Sequence, residues 1–256
     1  MLTKKLADKT WSSDDYYLQA KRASEIDHPS LIYLTDRYKG KDILEVACGE
    51  GTKLAKLSAR RKVGLDISTV AIKQAKQKLD LAVVGNAEDL PFKSQEFDAT
   101  LSFFSLEHFE QPEIVLGQMI KVTKRGGEIV ILTPNFGAPN RSSPCYVGSR
   151  MKKLLTGFFQ DLVGHPSGLN WHHVTPLSIE HAYQSDFDTL VEPYLLTLTR
   201  YLESLGMEVI LKSSNWEVKM ESENILQKII RVLGSIGLFP FSYWGPHAFV
   251  IARRVK

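Results

Sequence analysis

Ile43-Leu44-Glu45-Val46-Ala47-Cys48-Gly49-Glu50-Gly51 is the stretch on which the fold turns. A short β-rich run, Ile43 to Ala47, breaks into small residues, and the next segment, TKLAKLSA, has helical spacing. This reads as strand, tight turn, helix. The small residues fall just beyond the carboxyl end of the strand, where open α/β sheets bind their ligands. A side chain at the wrong place in such a turn would collide with a ligand or forbid a positive φ.

Working outward, the same alternation repeats. Val63 to Ile67 (VGLDI) reads as a second strand, and Ser68 as the N-cap of a helix through VAIKQAKQKL, because its hydroxyl can satisfy a free N–H of the first turn. LAVVGNA is a third strand and Phe97 to Phe104 a fourth. A helix then opens at Pro112, which the first turn tolerates, and is expected to end at Gly126-Gly127 before a fifth strand, EIVILTP. Beyond it, Glu192 to Leu205 reads as a helix stopped by Gly206, MEVILKSS as a strand and HAFVIARR as a closing strand. The pattern predicts an α/β, Rossmann-like fold: a seven-stranded, mostly parallel sheet with helices on both faces and a lid or cap insertion. The expected division is an N-terminal helical lid over 1–39, a ligand-binding core over 40–135, a cap over 136–190, and the C-terminal part of the sheet over 191–256 with an inserted amphipathic helix, ENILQKIIRVLGSIG. The cap stretch is rich in Pro, Gly, Ser, His and aromatic residues and too long for a plain connection.

Asp66 closes the second strand about twenty residues after Glu45, where a carboxylate can accept hydrogen bonds from both ribose hydroxyls of an adenosine; the other reading is a helix-capping carboxylate. Asn86 and Ala87, after the third strand, can meet an adenine edge. A dinucleotide fingerprint requires a third glycine, but Gly49-Glu50-Gly51-Thr52-Lys53-Leu54 has leucine there and places Glu50 where it would repel a pyrophosphate. The turn also lacks the Lys-Ser/Thr pair of a triphosphate loop. It favours a cofactor without phosphate.

Taken in order, ILEVACGEG, GLDIS, GNAEDLPF, FDATLSFFSLEHF and KRGGEIVILTPN resemble the class I S-adenosylmethionine-dependent methyltransferases of the ubiquinone/menaquinone-biosynthesis type (methyltransferase type 11), over residues 40 to 135. The resemblance implies that Glu45, Ala47, Gly49 and Gly51 line the methionine part of S-adenosylmethionine, Asp66 and Ile67 the ribose and adenine, and Asn86, Ala87 and Glu88 the base. Ser102, Phe103 and Leu106 would close the pocket beneath the sulfonium. Ala47 stands where the family commonly has glycine, and Asn86 where aspartate is commonest. The expected product is S-adenosylhomocysteine, and methyl transfer would proceed by in-line displacement onto a small acceptor, apolar or glycosidic. Two alternatives are a catalytically silent cofactor-binding scaffold, against which Asp66 and the turn speak, and a nucleotide-cofactor oxidoreductase, against which Leu54 speaks.

His108 lies near the expected methyl group and is the candidate base or substrate contact; it could equally fix the start of the next helix. Cys48 reads as packing. Trp171 with His172-His173, and His165 and His181 nearby, have irregular spacing without a Cys pair, so no metal is expected. Trp11, Tyr16 and Tyr17 are candidates to fold over the cofactor. LFPFSYW, after the amphipathic helix, could wall an apolar acceptor. The chain has 256 residues, 43% hydrophobic and 24% charged, with a net charge of +3 and interspersed signs, so no nucleic-acid partner is expected. Two cysteines and no apolar N-terminal stretch suggest a cytoplasmic setting. Val232 to Phe241 falls short of the roughly 20 apolar residues that a membrane span needs.

Overall fold

A computed structural model describes residues 28–165, 167–177, 185–218 and 223–255. Strands β1 (Asp42–Val46), β2 (Arg61–Asp66), β3 (Leu81–Val84), β4 (Phe97–Phe103) and β5 (Thr123–Pro134) lie parallel in one sheet. β8 (Met207–Ser213) and β9 (His247–Arg254) complete it, with β9 antiparallel to both β5 and β8. The strand order is β3-β2-β1-β4-β5-β9-β8, the seven-stranded, mostly parallel arrangement expected. β6 (His172–His173) and β7 (Val191–Glu192) form a separate antiparallel pair.

Alternation along the strands divides the core in two. Leu44, Ile129, Ile131, Val250 and Ala252 pack on one face, whereas Ile43, Val130, Leu132, Phe249 and Ile251 pack on the other, as a period of two requires. The first face is covered by α4 (Pro112–Val122) and α6 (Leu195–Ser204); the second by α1 (Pro29–Leu34), α2 (Thr52–Ala55) and α3 (Thr69–Ala75). Helices α5 (Arg150–Val163) and α7 (Ile225–Ser235) lie in the two insertions. Ser68 caps α3 as read, its Oγ accepting the Ala71 N–H at 3.2 Å. Asn224 and Gln227 form a reciprocal capping box at α7.

Several boundaries differ from expectation: α3 ends at Ala75, short of Leu79, and β3 at Val84, short of Ala87. α2 is one turn long because Leu57 turns into the core and the Ser58 N–H bonds the Thr35 carbonyl, drawing the chain out of helical geometry. α4 stops at Val122, and Gly126-Gly127 lies inside β5, not at a helix end. There the register jumps from Phe97 opposite Thr123 to Ala99 opposite Glu128; Gly126 has φ +74°, and a Cβ on Gly127 would lie 2.7 Å from the Asp98 carbonyl oxygen. α6 begins at Leu195 because Glu192 belongs to β7 and Pro193 follows it. Trp11, Tyr16, Tyr17 and His181 lie outside the described residues.

Candidate active site

The ends of β1, β2, β3, β4 and β5 open on one side of the sheet into a cavity of about 1040 Å³. The turn after β1 forms its floor. Ala47, Gly49 and Gly51 all have positive φ, at 57°, 54° and 78°. Ala47 is thus an L-residue held in the left-handed region, which costs roughly 1–2 kcal/mol relative to glycine's freedom there. Asp66 fastens this turn to β2: one carboxylate oxygen accepts the Gly49 N–H at 2.8 Å and the other the Ser68 N–H at 2.9 Å. Burial pushes its pKa up, against the lowering effect of those two bonds. The cap of α3 is Ser68 itself, so Asp66 holds the cap residue's own N–H in place of a first-turn one, and it also lines the cavity.

Around the turn lies an acidic ring. Glu45 is 1% exposed and Glu50 4%, and Oε2 of Glu45 and Oε1 of Glu50 are buried with no hydrogen-bond partner. Burial raises the Glu45 carboxyl to about 8; Lys53 opposes this, while Glu50 and Asp66 reinforce it. Cys48, the small packing residue of the turn, is buried and its thiol pushed up, mainly by that burial. A Cβ on Gly64 of β2 would lie 2.6 Å from its Sγ.

Most of the residues singled out in the sequence meet in this cavity: Glu45, Ala47, Gly49, Asp66, Ile67, Asn86, Ala87, Glu88, Phe103 and His108. Three do not. Gly51 caps α2 and faces Leu79, where a Cβ would sit 3.0 Å from Leu79 Cδ1. Ser102 is buried and bonded to the Ser105 hydroxyl. Leu106 is buried in the core. These three stand behind the wall and do not form it. Asn86 Oδ1 already accepts the Glu88 N–H at 3.0 Å, leaving a second lone pair and the amide N–H groups for a ligand.

His108 ends a short 3-10 turn, Leu106–His108. Its Nδ1 lies 3.2 Å from the Asp188 carbonyl oxygen and 3.6 Å from an Asp188 carboxylate oxygen, and Nε2 lies 3.8 Å from Glu107 Oε1. Burial lowers its pKa, but Asp188 and Glu107 outweigh that and raise it. Glu107, bonded to the Thr133 hydroxyl at 2.7 Å, is raised to about 7 by burial. Glu107 and Asp186 also line the cavity. Sequence reading missed both, although Glu107 adjoins His108 in the same turn; Asp186 arrives from the cap, beyond the reach of local pattern.

The other histidines have separate settings. His165 Nε2 bonds Asp161 at 2.6 Å, whereas His172 and His173 are exposed on β6. Among the described residues no group of three or more His, Cys, Asp or Glu is placed to hold a metal ion. No helix among them is long and apolar enough to cross a membrane.

This architecture, with an acidic glycine turn and a strand-end carboxylate, defines a class. Residues 44–131, the stretch carrying the turn and Asp66, match the methyltransferase domain family. The chain is 29% identical over 117 residues to a probable S-adenosylmethionine-dependent methyltransferase of Mycolicibacterium smegmatis, covering 43% of this chain and 46% of that one. It is 34% identical over 106 residues to a demethylmenaquinone methyltransferase of Renibacterium salmoninarum, covering 38% and 44%. The matched stretch therefore spans less than half of either relative. A solved S-adenosylmethionine-dependent methyltransferase of Mesorhizobium loti shares the fold, at TM-score 0.55 and 16% identity over 88% of this chain and 96% of that one.

Proposed function

We propose that the protein transfers the methyl group of S-adenosylmethionine to a small-molecule acceptor held in the outer part of the cavity. The observation carrying this reading is the pair of buried carboxylate oxygens, Glu45 Oε2 and Glu50 Oε1, that have no partner at the glycine turn. Buried, unpartnered acid groups are costly. A ligand bearing an ammonium and a sulfonium relieves that cost, and a phosphate would increase it. The donor set thus fits S-adenosylmethionine, with Glu45 and Glu50 toward its positive groups, the backbone of Ala47 and Gly49 against its tail, Asp66 on the ribose, and Ile67, Asn86, Ala87 and Glu88 around the base.

When bound, the cofactor supplies an already activated methyl group, so the protein's task is chiefly alignment and exclusion of water. Phe103 and Phe104 at the end of β4 wall the space beside the turn. His108 is the group placed to take a proton from the acceptor: its Nδ1 donates to the Asp188 carbonyl, which leaves Nε2 as the basic position. Leu154, Leu226 and Ile230 line the cavity from α5 and α7 and favour an acceptor with an apolar part.

Calorimetric titration with S-adenosylmethionine, S-adenosylhomocysteine and NADH, repeated on Asp66→Ala, tests the reading. The expected result is binding of the first two ligands only, weakened at least tenfold in the variant, the scale of a lost hydrogen bond to a charged group. Binding of NADH alone, or of none of the three, overturns it.

A further inference from the structure

The cavity wall holds two histidines that the mechanism above does not use. His28 precedes α1 and His247 opens β9, yet their rings meet, with His28 Nε2 3.0 Å from His247 Nδ1. One hydrogen lies between these nitrogens, and a third group determines which ring carries it. The Ser30 backbone N–H points at His28 Nδ1 from 3.2 Å. An amide N–H only donates, so His28 Nδ1 is the acceptor and, in the neutral ring, the hydrogen is on Nε2. His28 therefore donates to His247 Nδ1. By the same rule His247 carries its own hydrogen on Nε2.

Nothing among the described residues bonds that last atom, while His247 lines the cavity. Both rings remain neutral. Burial lowers His28 against the raising effect of Glu217, and burial, then His28 and Arg141, lower His247 to about 3. Phe104 meets both rings edge-on, with centroids 5.7 Å from His28 and 5.4 Å from His247, and so restrains their rotation. The donor thus stands beside an aromatic ring, at the same sheet edge as the end of β4.

We propose that His247 presents a fixed Nε2–H to the methyl acceptor and selects a molecule with an oxygen lone pair, such as a phenolate, enolate or carbonyl oxygen, next to an apolar ring or chain. The proposal rests on the methyltransferase reading for the identity of the ligand as an acceptor. His28 is a positioning residue: the first turn of α1 sets its tautomer, and it sets that of His247. A ring locked as a donor accepts no proton and repels an ammonium, so it complements an ionised oxygen, to which hydrogen bonds are about twice as strong as neutral ones.

Two measurements on the full chain test this. In long-range 1H–15N spectra of the wild type, His247 is expected to be protonated on Nε2 and bare on Nδ1 throughout pH 6 to 8; a hydrogen on Nδ1, or an imidazolium in that range, overturns the proposal. Binding of 4-nitrophenolate and of nitrobenzene is then compared, with and without saturating S-adenosylhomocysteine. Wild type is expected to prefer the phenolate about tenfold, and His247→Asn, which retains an acceptor for His28 but has no atom at the Nε2 position, to lose that preference. Equal binding of the two probes by wild type, or undiminished preference in the variant, overturns it. Failure of S-adenosylhomocysteine to bind would instead overturn the methyltransferase reading, because the tautomer and the probe preference without it stand or fall separately.

Discussion

Glu45 is the side chain whose chemistry most depends on what occupies the site. With its carboxyl raised to about 8 by burial, it holds a proton at neutral pH in the ligand-free protein. The unfolded chain releases that proton near the ordinary glutamate value of about 4.3. Between those two values the folded state binds more protons than the unfolded one, so Glu45 makes stability fall as pH rises from the unfolded value toward 8, with its effect complete above that. A cationic ligand favours the ionised form. Binding of S-adenosylmethionine at pH 7 is therefore expected to release a proton, seen as an apparent enthalpy that changes with the ionisation enthalpy of the buffer, and to tighten as pH rises to 8. In Glu45→Gln both dependences should shrink and the affinity should fall. Titrations in phosphate and Tris that gave one enthalpy would remove Glu45 from this role.

At the scale of elements, α5 is held by one buried acid. Asp161, 1% exposed, accepts from Tyr194 Oη at 2.5 Å, Trp244 Nε1 at 2.7 Å and His165 Nε2 at 2.6 Å. It joins the cap helix to the start of α6 and to the loop before β9. Asp161→Ala strands the buried Tyr194 O–H, while Trp244 Nε1 keeps the Tyr194 oxygen as an acceptor at 3.1 Å, and is expected to destabilise the protein by roughly 1–3 kcal/mol, read as a lower urea midpoint at unchanged m. Such contacts also mark where sequence reading stops. The strands and helices between Ile43 and Pro134 were legible because their periods of two and 3.6 are local properties, and the place of Asp66 and the turn beside a cavity was legible because open α/β sheets form crevices at their strand ends. Gly126-Gly127 misled because glycine answers a close backbone approach as readily as a helix end. Gly51, Ser102 and Leu106 were assigned to the wall from motif position alone, which does not distinguish a residue facing a cavity from one a step behind it. The meeting of His28 with His247 depends on the closing of the sheet, and no window of sequence contains both.

For the molecule as a whole, the cavity draws its wall from five strand ends, the cap, α7 and the start of β9, so occupancy should be felt globally. S-adenosylhomocysteine at a hundred times its Kd adds about 2.7 kcal/mol of stability, which for a chain of this size corresponds to about 5–10 °C in Tm. The expected outcome is a single melting transition displaced by that amount, and an unmoved transition at saturation would mean that the ligand sits elsewhere. The place of β9 carries a further consequence. It follows both β5 and β8 in the chain, yet it lies between them in the sheet, and during synthesis it leaves the ribosome after both. The strands that carry the glycine turn and Asp66 can pair before then, whereas β8 has no neighbour in the sheet until β9 arrives. A nascent chain would therefore assemble the strands that carry the glycine turn first, and the end of the cavity that holds His247 would be completed only as β9 pairs between β5 and β8.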